Sequence, residues 1–460
     1  MFNSLLKDKL AVVVVIAVVV RLGVLIAFPS IFAFDQTGSI LGSGAYDTYA
    51  QNLLKTGVYG AHPGSPDAII PPLYSLALAG VYGMFGRGAL QVGLFHILLD
   101  ALSISLLYHS GRRLFAQSNG DMIGALAGLF YALYPYLIFQ NLTLNDTAFF
   151  MALLYAFIWL LIVLREREHL DRGTWIVSAL AGLILGLTLL TRAIVPPLAL
   201  LAAIWFLFRL NLKQTILRLL PVAVIGVAVV IPWMLRNYSV YGVWIPMSLN
   251  SGENFYQGNS IYTIPYFRAG YDVQWVPIPE LKAADLYSPA ANAERAELGM
   301  AYLRAHPEQI LDLIWTKLLV HWSIDVAPRQ NPTEGKVPRL DYQGNALPET
   351  DSSGNLSLGQ LPQGDPVNAY SQPLFDQIGR VVHRFYWGAL FLLGLMGLLV
   401  TARQWRSVSL LWFAQISMTA VYVFFHPSTR YRVPTDPLWF LFSAAALIWL
   451  WAWWQYRLKK

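Results

Sequence analysis

Ten apolar runs, each close to the length that crosses a bilayer, constrain this chain more than any other feature. They fall at roughly 10–29, 89–109, 121–140, 146–164, 175–191, 194–209, 218–235, 382–402, 407–425 and 437–456. About 20 apolar residues span the hydrocarbon. Within lipid, every backbone N–H and C=O must be satisfied inside the segment, so runs of this kind are helices. The expectation is an all-α polytopic membrane protein of about ten transmembrane helices. Composition agrees: 56% hydrophobic and 13% charged residues carry too much apolar surface and too little charge for a soluble chain. The first run is followed by Pro29, Phe32 and Phe34 rather than a small-residue cleavage site, so it reads as an anchor and not a removed signal peptide.

A net charge of +6 would suit a nucleic-acid binder, but the cations sit in short turns between apolar runs. They form no stripe, and no nucleic-acid partner is expected. Lys7 and Lys9, Arg112 and Arg113, Arg165, Arg167 and Arg172, Arg209, Lys213 and Arg218, Arg403 and Arg406, and Arg457, Lys459 and Lys460 all fall on one side when ten spans are threaded. By the positive-inside rule that side is cytoplasmic. Both termini are then cytoplasmic in a plasma-membrane protein, and the 30–88 and 236–380 loops lie outside. The chain has no cysteine, which excludes disulfides, thiolate metal sites and a cysteine nucleophile.

Three regions follow: 1–235 with seven spans and the outer loop 30–88, a polar outer-face region 236–380, and 381–460 with three spans. In the first outer loop, 46–56 and 72–85 read as helices too short to span, lying in the interface. In the large loop, 292–305 and 307–322 read as two more helices. The stretch 327–372 is rich in Pro, Gly, Asn, Asp and Ser, and no regular structure is expected there. Gly182 and Gly186, four apart, predict close helix packing.

Ionisable groups in a bilayer need a partner or a function. Arg21 and Asp100 fall at similar depth on the first two spans and read first as a structural ion pair. Arg192, Arg236, Arg430 and Arg432 lie at the outer boundary, where the charge bias predicts few cations. Arginine's planar fork matches phosphate oxygens, so an anionic lipid headgroup is one reading and a local acid or helix carbonyl the other. The pair Arg430 and Arg432 favours phosphate. Asp35, Asp47 and Asp146 share that face; Asp47 and Asp146 each open a helix, where a capping role is the plain alternative. Glycosyl transfer needs one carboxylate to take the acceptor's proton while the phosphate leaves. No histidine spacing of the HExxH kind occurs, so a metal site is left open; a divalent cation held by Asp47 and Asp146 is the one arrangement the residues offer.

The order PPLYSLALAGVYGMFG, LNDTAFF, GLILGLTLLTR, PWMLRNYSVYGVWIPMSLNSGENFYQGN, RAHPEQILDLIWTKLLVHW and RYRVPTDP resembles the GT-C membrane glycosyltransferases of the protein mannosyltransferase and aminoarabinose transferase type. The resemblance runs from about Arg21 to Pro437, and its specific part is the PW..RNY...G..IP.S.N.G.N.Y.GN stretch. It implies a polyprenyl-phosphate sugar donor and inverting transfer on the outer face. It also implies a catalytic acid in the first outer loop, where Tyr46 and Ala50 match the pattern but Gly42 and Ser43 occupy the usual acidic position. Asp47 then ranks first for that role and Asp35 second. By the same resemblance, Asp146 stands where the family has a glutamate. Arg430, Tyr431 and Arg432 match the outer arginine motif, as do Arg192 and Arg236, for which a loop-bracing role is the equal alternative. Asn250, Glu253, Asn254, Tyr256 and Asn259 would line the acceptor side, where turn chemistry is the alternative.

The expected function is an inverting glycosyltransferase. The rivals are a non-catalytic scaffold that keeps the fold, within a larger membrane complex, and a lipid-linked saccharide transporter. A transporter would need a polar path at mid-membrane, for which only Arg21 and Asp100 are available.

Overall fold

The structure is a computed structural model and describes residues 8–28, 43–329, 337–350, 356–357 and 373–459. It is built from α-helices: α1 (Lys9–Ala27), α2 (Ser43–Thr56), α3 (Leu73–Phe85), α4 (Ala89–Leu114), α5 (Gly120–Leu133), α6 (Pro135–Asn141), α7 (Thr147–Glu166), α8 (Arg172–Thr191), α9 (Pro196–Leu207) and α10 (Leu212–Tyr241). There follow α11 (Ser251–Gly258), α12 (Thr263–Ala269), α13 (Pro289–Ala305), α14 (Ile310–His321), α15 (Pro373–Val400), α16 (Trp405–Phe424), α17 (Thr429–Arg432) and α18 (Asp436–Leu458). A two-residue antiparallel pairing joins β1 (Glu349–Thr350) to β2 (Leu356–Ser357).

Two compact units result. The first comprises Met1–Met247, Phe385–Met418 and Val433–Lys460; the second comprises Ser248–Arg384 and Thr419–Arg432. Within the first, α1 packs on α4 and α5, α4 on α7, α7 on α8, α8 on α10, and α5 on α18. Helix α7 is apolar around its whole circumference and is the most enclosed span, with 72% of its apolar window buried. Helix α10 is two-faced. Leu220, Val224, Val227, Ile231 and Leu235 form an exposed stripe at helical spacing, while Val222, Gly226 and Val230 face inward. That inner face meets Gly182 and Gly186 of α8, where an added Cβ would lie 2.8 Å from the Val222 and Gly226 carbonyl oxygens respectively. The expected close packing is therefore present, and it depends on the missing side chains.

Eight helices among the described residues are long and apolar enough to cross a membrane. The two remaining apolar runs take other forms. The run 121–140 is broken into α5 and α6, bent by 65°. Tyr134 precedes Pro135 and has ψ 108, because the proline ring disfavours helical backbone in the residue before it. The run 194–209 yields only the 12 residues of α9, about 18 Å at 1.5 Å per residue, short of a ~30 Å hydrocarbon core. The four short helices expected in the polar loops are all present, as α2, α3, α13 and α14.

Candidate active site

Helix α2 turns Asp47 inward, leaving it 5% exposed. Its Oδ1 accepts from Arg87 Nε at 2.9 Å and from the Tyr82 hydroxyl at 2.8 Å. Its Oδ2 accepts from Arg87 Nη2 at 2.7 Å and from Gln51 Nε2 at 2.9 Å. A carboxylate offers about four lone-pair sites, so these bonds fill it. Asp47 is thus held by tertiary partners and is not a helix cap. Arg87 comes from the link between α3 and α4, where it and Lys55 are the only cations between residues 30 and 88. That isolation was a signal available in the sequence, whereas the pairing itself was not.

Asp146 also meets an arginine fork. Arg192 donates to it from Nε at 2.7 Å and from Nη2 at 2.6 Å, the second nitrogen also reaching Thr147 Oγ1 at 2.9 Å. The guanidinium lies 4.9 Å from the Phe150 ring centroid. Asp146 makes no side-chain cap bond to α7; instead Asn145 Oδ1 accepts from the Thr147 N–H at 2.8 Å. Of the two readings of Arg192, the local acid is the one observed.

Tyr74 of α3 is buried among aromatic side chains. Tyr46 meets it edge-on at 5.1 Å, Phe149 lies 6.1 Å away, and its hydroxyl is 2.9 Å from His96 Nε2. His96 Nδ1 is 2.8 Å from the Asn141 carbonyl. Burial first, then the charges of Tyr82, Asp146, Tyr46 and Asp47, push the Tyr74 phenol well above its usual range. Sequence reasoning singled out neither Tyr74 nor Tyr82 nor His96.

Arg236 braces the loop between α2 and α3. Its guanidinium donates to the Asp67 carbonyl at 2.5 Å and the Tyr59 carbonyl at 2.7 Å, and lies 4.8 Å from the Trp233 ring centroid. Asp67 in turn accepts from the Tyr49 hydroxyl at 2.5 Å and the Ala61 N–H at 2.7 Å. Burial, then this hydrogen bond, pushes the Tyr49 phenol far up, so it stays a donor.

The second unit holds the other residues. Arg432 is fully buried and donates from Nη1 to the His321 carbonyl at 3.2 Å and the Ser323 carbonyl at 2.6 Å. It thereby caps the carboxyl end of α14. Arg430 is half-buried, 5.7 Å from the Tyr431 ring centroid. Tyr431 stacks on Tyr422 at 4.8 Å and meets His426 at 5.4 Å. Burial above all pushes the His426 imidazole down to about 3. Its Nε2 lies 3.4 Å from Asn254 Oδ1.

The asparagine-rich stretch forms α11. Asn259 donates to the Phe255 and Phe424 carbonyls at 2.8 and 3.0 Å and accepts from Lys317 Nζ at 2.9 Å. Asn250 Oδ1 accepts from Ser248 Oγ, Glu253 Oε1 from Gln257, and Tyr256 packs against the cluster around Tyr266 and Tyr271. The motif's glycines are packing positions. A Cβ at Gly252 would lie 1.8 Å from the Asn292 carbonyl oxygen, and one at Gly258 would lie 1.7 Å from that of Phe425.

Among the described residues, no group of three or more His, Asp or Glu side chains is placed to hold a metal ion. Asp47 and Asp146 each present both oxygens to a guanidinium, whose charge would repel a divalent cation. The donor set on these residues does not fit a metal, and no step is routed through one. Asp35 lies outside the described residues.

The sequence profile of the dolichyl-phosphate-mannose-protein mannosyltransferase family matches residues 70–235. The oligosaccharyltransferase of Archaeoglobus fulgidus, crystallised with Zn and sulfate, matches over 97% of this chain and 50% of its own, with TM-score 0.53 and 14% identity. The archaeal oligosaccharyltransferase AglB of that organism, in complex with an inhibitory peptide and a dolichol-phosphate, matches over 96% and 50%, with TM-score 0.52 and 14% identity. ArnT from Cupriavidus metallidurans, bound to undecaprenyl phosphate, matches over 95% and 76%, with TM-score 0.41 and 15% identity. The chain spans about half the length of the archaeal enzyme, and at this identity the likeness is one of fold. No curated protein matches the chain.

Proposed function

We propose, from the premise that this is a multi-pass membrane protein with a GT-C-type fold, that it moves a sugar from a polyprenyl phosphate to an acceptor on the outer face, with inversion. The observation that supports this reading is that Asp47 and Asp146 are both buried and each accepts a bidentate arginine fork. The dolichol-phosphate complex of the archaeal fold relative supports a polyprenyl-phosphate donor.

In the proposed reaction the acceptor's proton passes to a carboxylate oxygen of Asp47. The acceptor oxygen bonds to the anomeric carbon as the bond from that carbon to the phosphate oxygen breaks, and the polyprenyl phosphate leaves with the electron pair. Asp47 accepts four hydrogen bonds, so it becomes a base only when one donor moves away. Arg87 is the one to move, because its side chain is 27% exposed and a phosphate offers the same bidentate geometry. Arg430 is the reading's phosphate contact, Tyr431 its neighbour and Arg432 its brace. Asp146 orients Arg192, and the α11 residues face the acceptor. Asp35 remains the second candidate base.

The saturated carboxylate, together with Gly42 and Ser43 at the usual acidic position, favours a second reading as a scaffold that retains the fold within a larger membrane complex. Release of polyprenyl phosphate from a panel of polyprenyl-phosphate sugars, with crude envelope acceptors, separates the two. Transfer predicts release that falls at least a hundredfold in Asp47→Asn while lipid binding persists, as ~10²–10⁴-fold is typical of losing a general base. Lipid binding without release in the unmodified protein would establish the scaffold.

A further inference from the structure

The arginine-rich ends of the spans enclose a pocket of about 150 Å³ that the transfer reading does not use. By the charge bias this is the cytoplasmic end. Arg113 closes α4, Arg165 and Glu166 close α7, Trp205 belongs to α9, Arg209 follows it, and Gln404 precedes α16; all six line the pocket. Glu166 is its sole acid among the described residues, so three arginines against one glutamate leave two positive charges in excess.

Arg165 is the unusual member. It is 7% exposed, its guanidinium stacks 4.0 Å from the Trp205 ring centroid, and its Nη2 donates to the Arg406 carbonyl at 3.0 Å. Its Nε has no hydrogen-bond partner. A buried donor left unmade costs free energy. Arg113 is held by Glu166, whereas Arg209 is exposed and its like charge bears on Arg165. An anion in the pocket would offset the excess positive charge of these arginines. A pocket of about 150 Å³ has room for a phosphate group and not for a sugar chain.

We infer that this pocket binds a phosphate group, that of an anionic phospholipid headgroup at the cytoplasmic surface. Basic pockets between spans on that side hold anionic headgroups generally. Glu166 then sets the affinity from the opposite direction, since it repels the phosphate and occupies Arg113.

Calorimetry on the purified full chain tests this with three probes: dioctanoyl phosphatidylglycerol, dioctanoyl phosphatidylcholine and inorganic phosphate. Saturable binding of the anionic lipid is expected, weakened by about tenfold in Arg209→Gln, the worth of one charge-assisted contact, and strengthened in Glu166→Gln. The second variant guards the test, because a misfolded protein does not bind more tightly. Displacement of the lipid by inorganic phosphate, with the same response to both variants, would assign the pocket to a soluble phosphate; resistance to it assigns the lipid headgroup. Equal binding of phosphatidylcholine, or indifference of the anionic lipid to both substitutions, would overturn the inference.

Discussion

Asp100 lies in the apolar interior with Arg21, the Tyr131 hydroxyl at 2.6 Å and Asn141 Nδ2 at 2.6 Å on its carboxylate, while Arg21 Nη1 donates to the Ala132 carbonyl at 3.0 Å. A pair so enclosed presents no open polar path, which counts against the transporter reading. Asp100→Asn leaves Arg21 charged and buried, so a loss of ~3–5 kcal/mol in stability is expected; thermal unfolding in detergent measures it. The double variant Arg21→Met with Asp100→Leu should recover much of that loss. Lys317 is the second residue to test. It is 1% exposed and, among the described residues, gives hydrogen bonds to Asn259 Oδ1 and the Val423 carbonyl, both at 2.9 Å. A neutral amine's two N–H groups satisfy both acceptors. Burial pushes its amine down to about 7. The unfolded amine titrates near 10.4, so between about 7 and that value the unfolded chain binds the extra proton and stability rises with pH. The contribution is fully present above the unfolded value and is lost as pH falls through about 7. Melting temperature against pH should slope upward across that window in the unmodified protein and flatten in Lys317→Met.

Helices α8 and α10 approach closely because Gly182 and Gly186 present bare backbone to Val222 and Gly226. Gly186→Leu drives a side chain into Val229 and the Gly226 carbonyl, and ~1–3 kcal/mol of destabilisation is expected from overpacking alone. Gly23, which has nothing within 4 Å of an added Cβ, is the control: Gly23→Ala should unfold at the unmodified temperature or above. The elements were largely legible as sequence because hydrophobic period and proline position are local properties. The exceptions are instructive. The break at Tyr134 and Pro135 was marked by the proline, but apolar residues on both sides masked it. The short α9 begins at Pro196, and apolar length alone did not reveal that the helix would stop at Leu207.

For the molecule as a whole, orientation is the open property, and the absence of cysteine makes it directly testable. In intact cells an impermeant maleimide should label Gln343→Cys but not Lys459→Cys, the latter reacting only after lysis. The reverse pattern would invert the assignment of faces. The sequence by itself determined the class of the protein: a many-helix membrane chain, most of whose cations sit in short turns between apolar runs. Each of those properties follows from the solvent a segment of backbone must inhabit, and that is written residue by residue. It also determined the Arg21 and Asp100 pair, since two opposite charges at one depth in lipid have few alternatives. Only the tertiary structure decided what the boundary charges do. Arg87, 40 residues along the chain from Asp47, forks that carboxylate. Arg192 takes Asp146, Arg236 braces a loop through carbonyls, and Arg432 caps α14. Near a membrane boundary several partners lie within reach of every long side chain, and Coulomb attraction does not choose among them. The helix packing does, by bringing one fork and one carboxylate to hydrogen-bonding distance and excluding water from the pair.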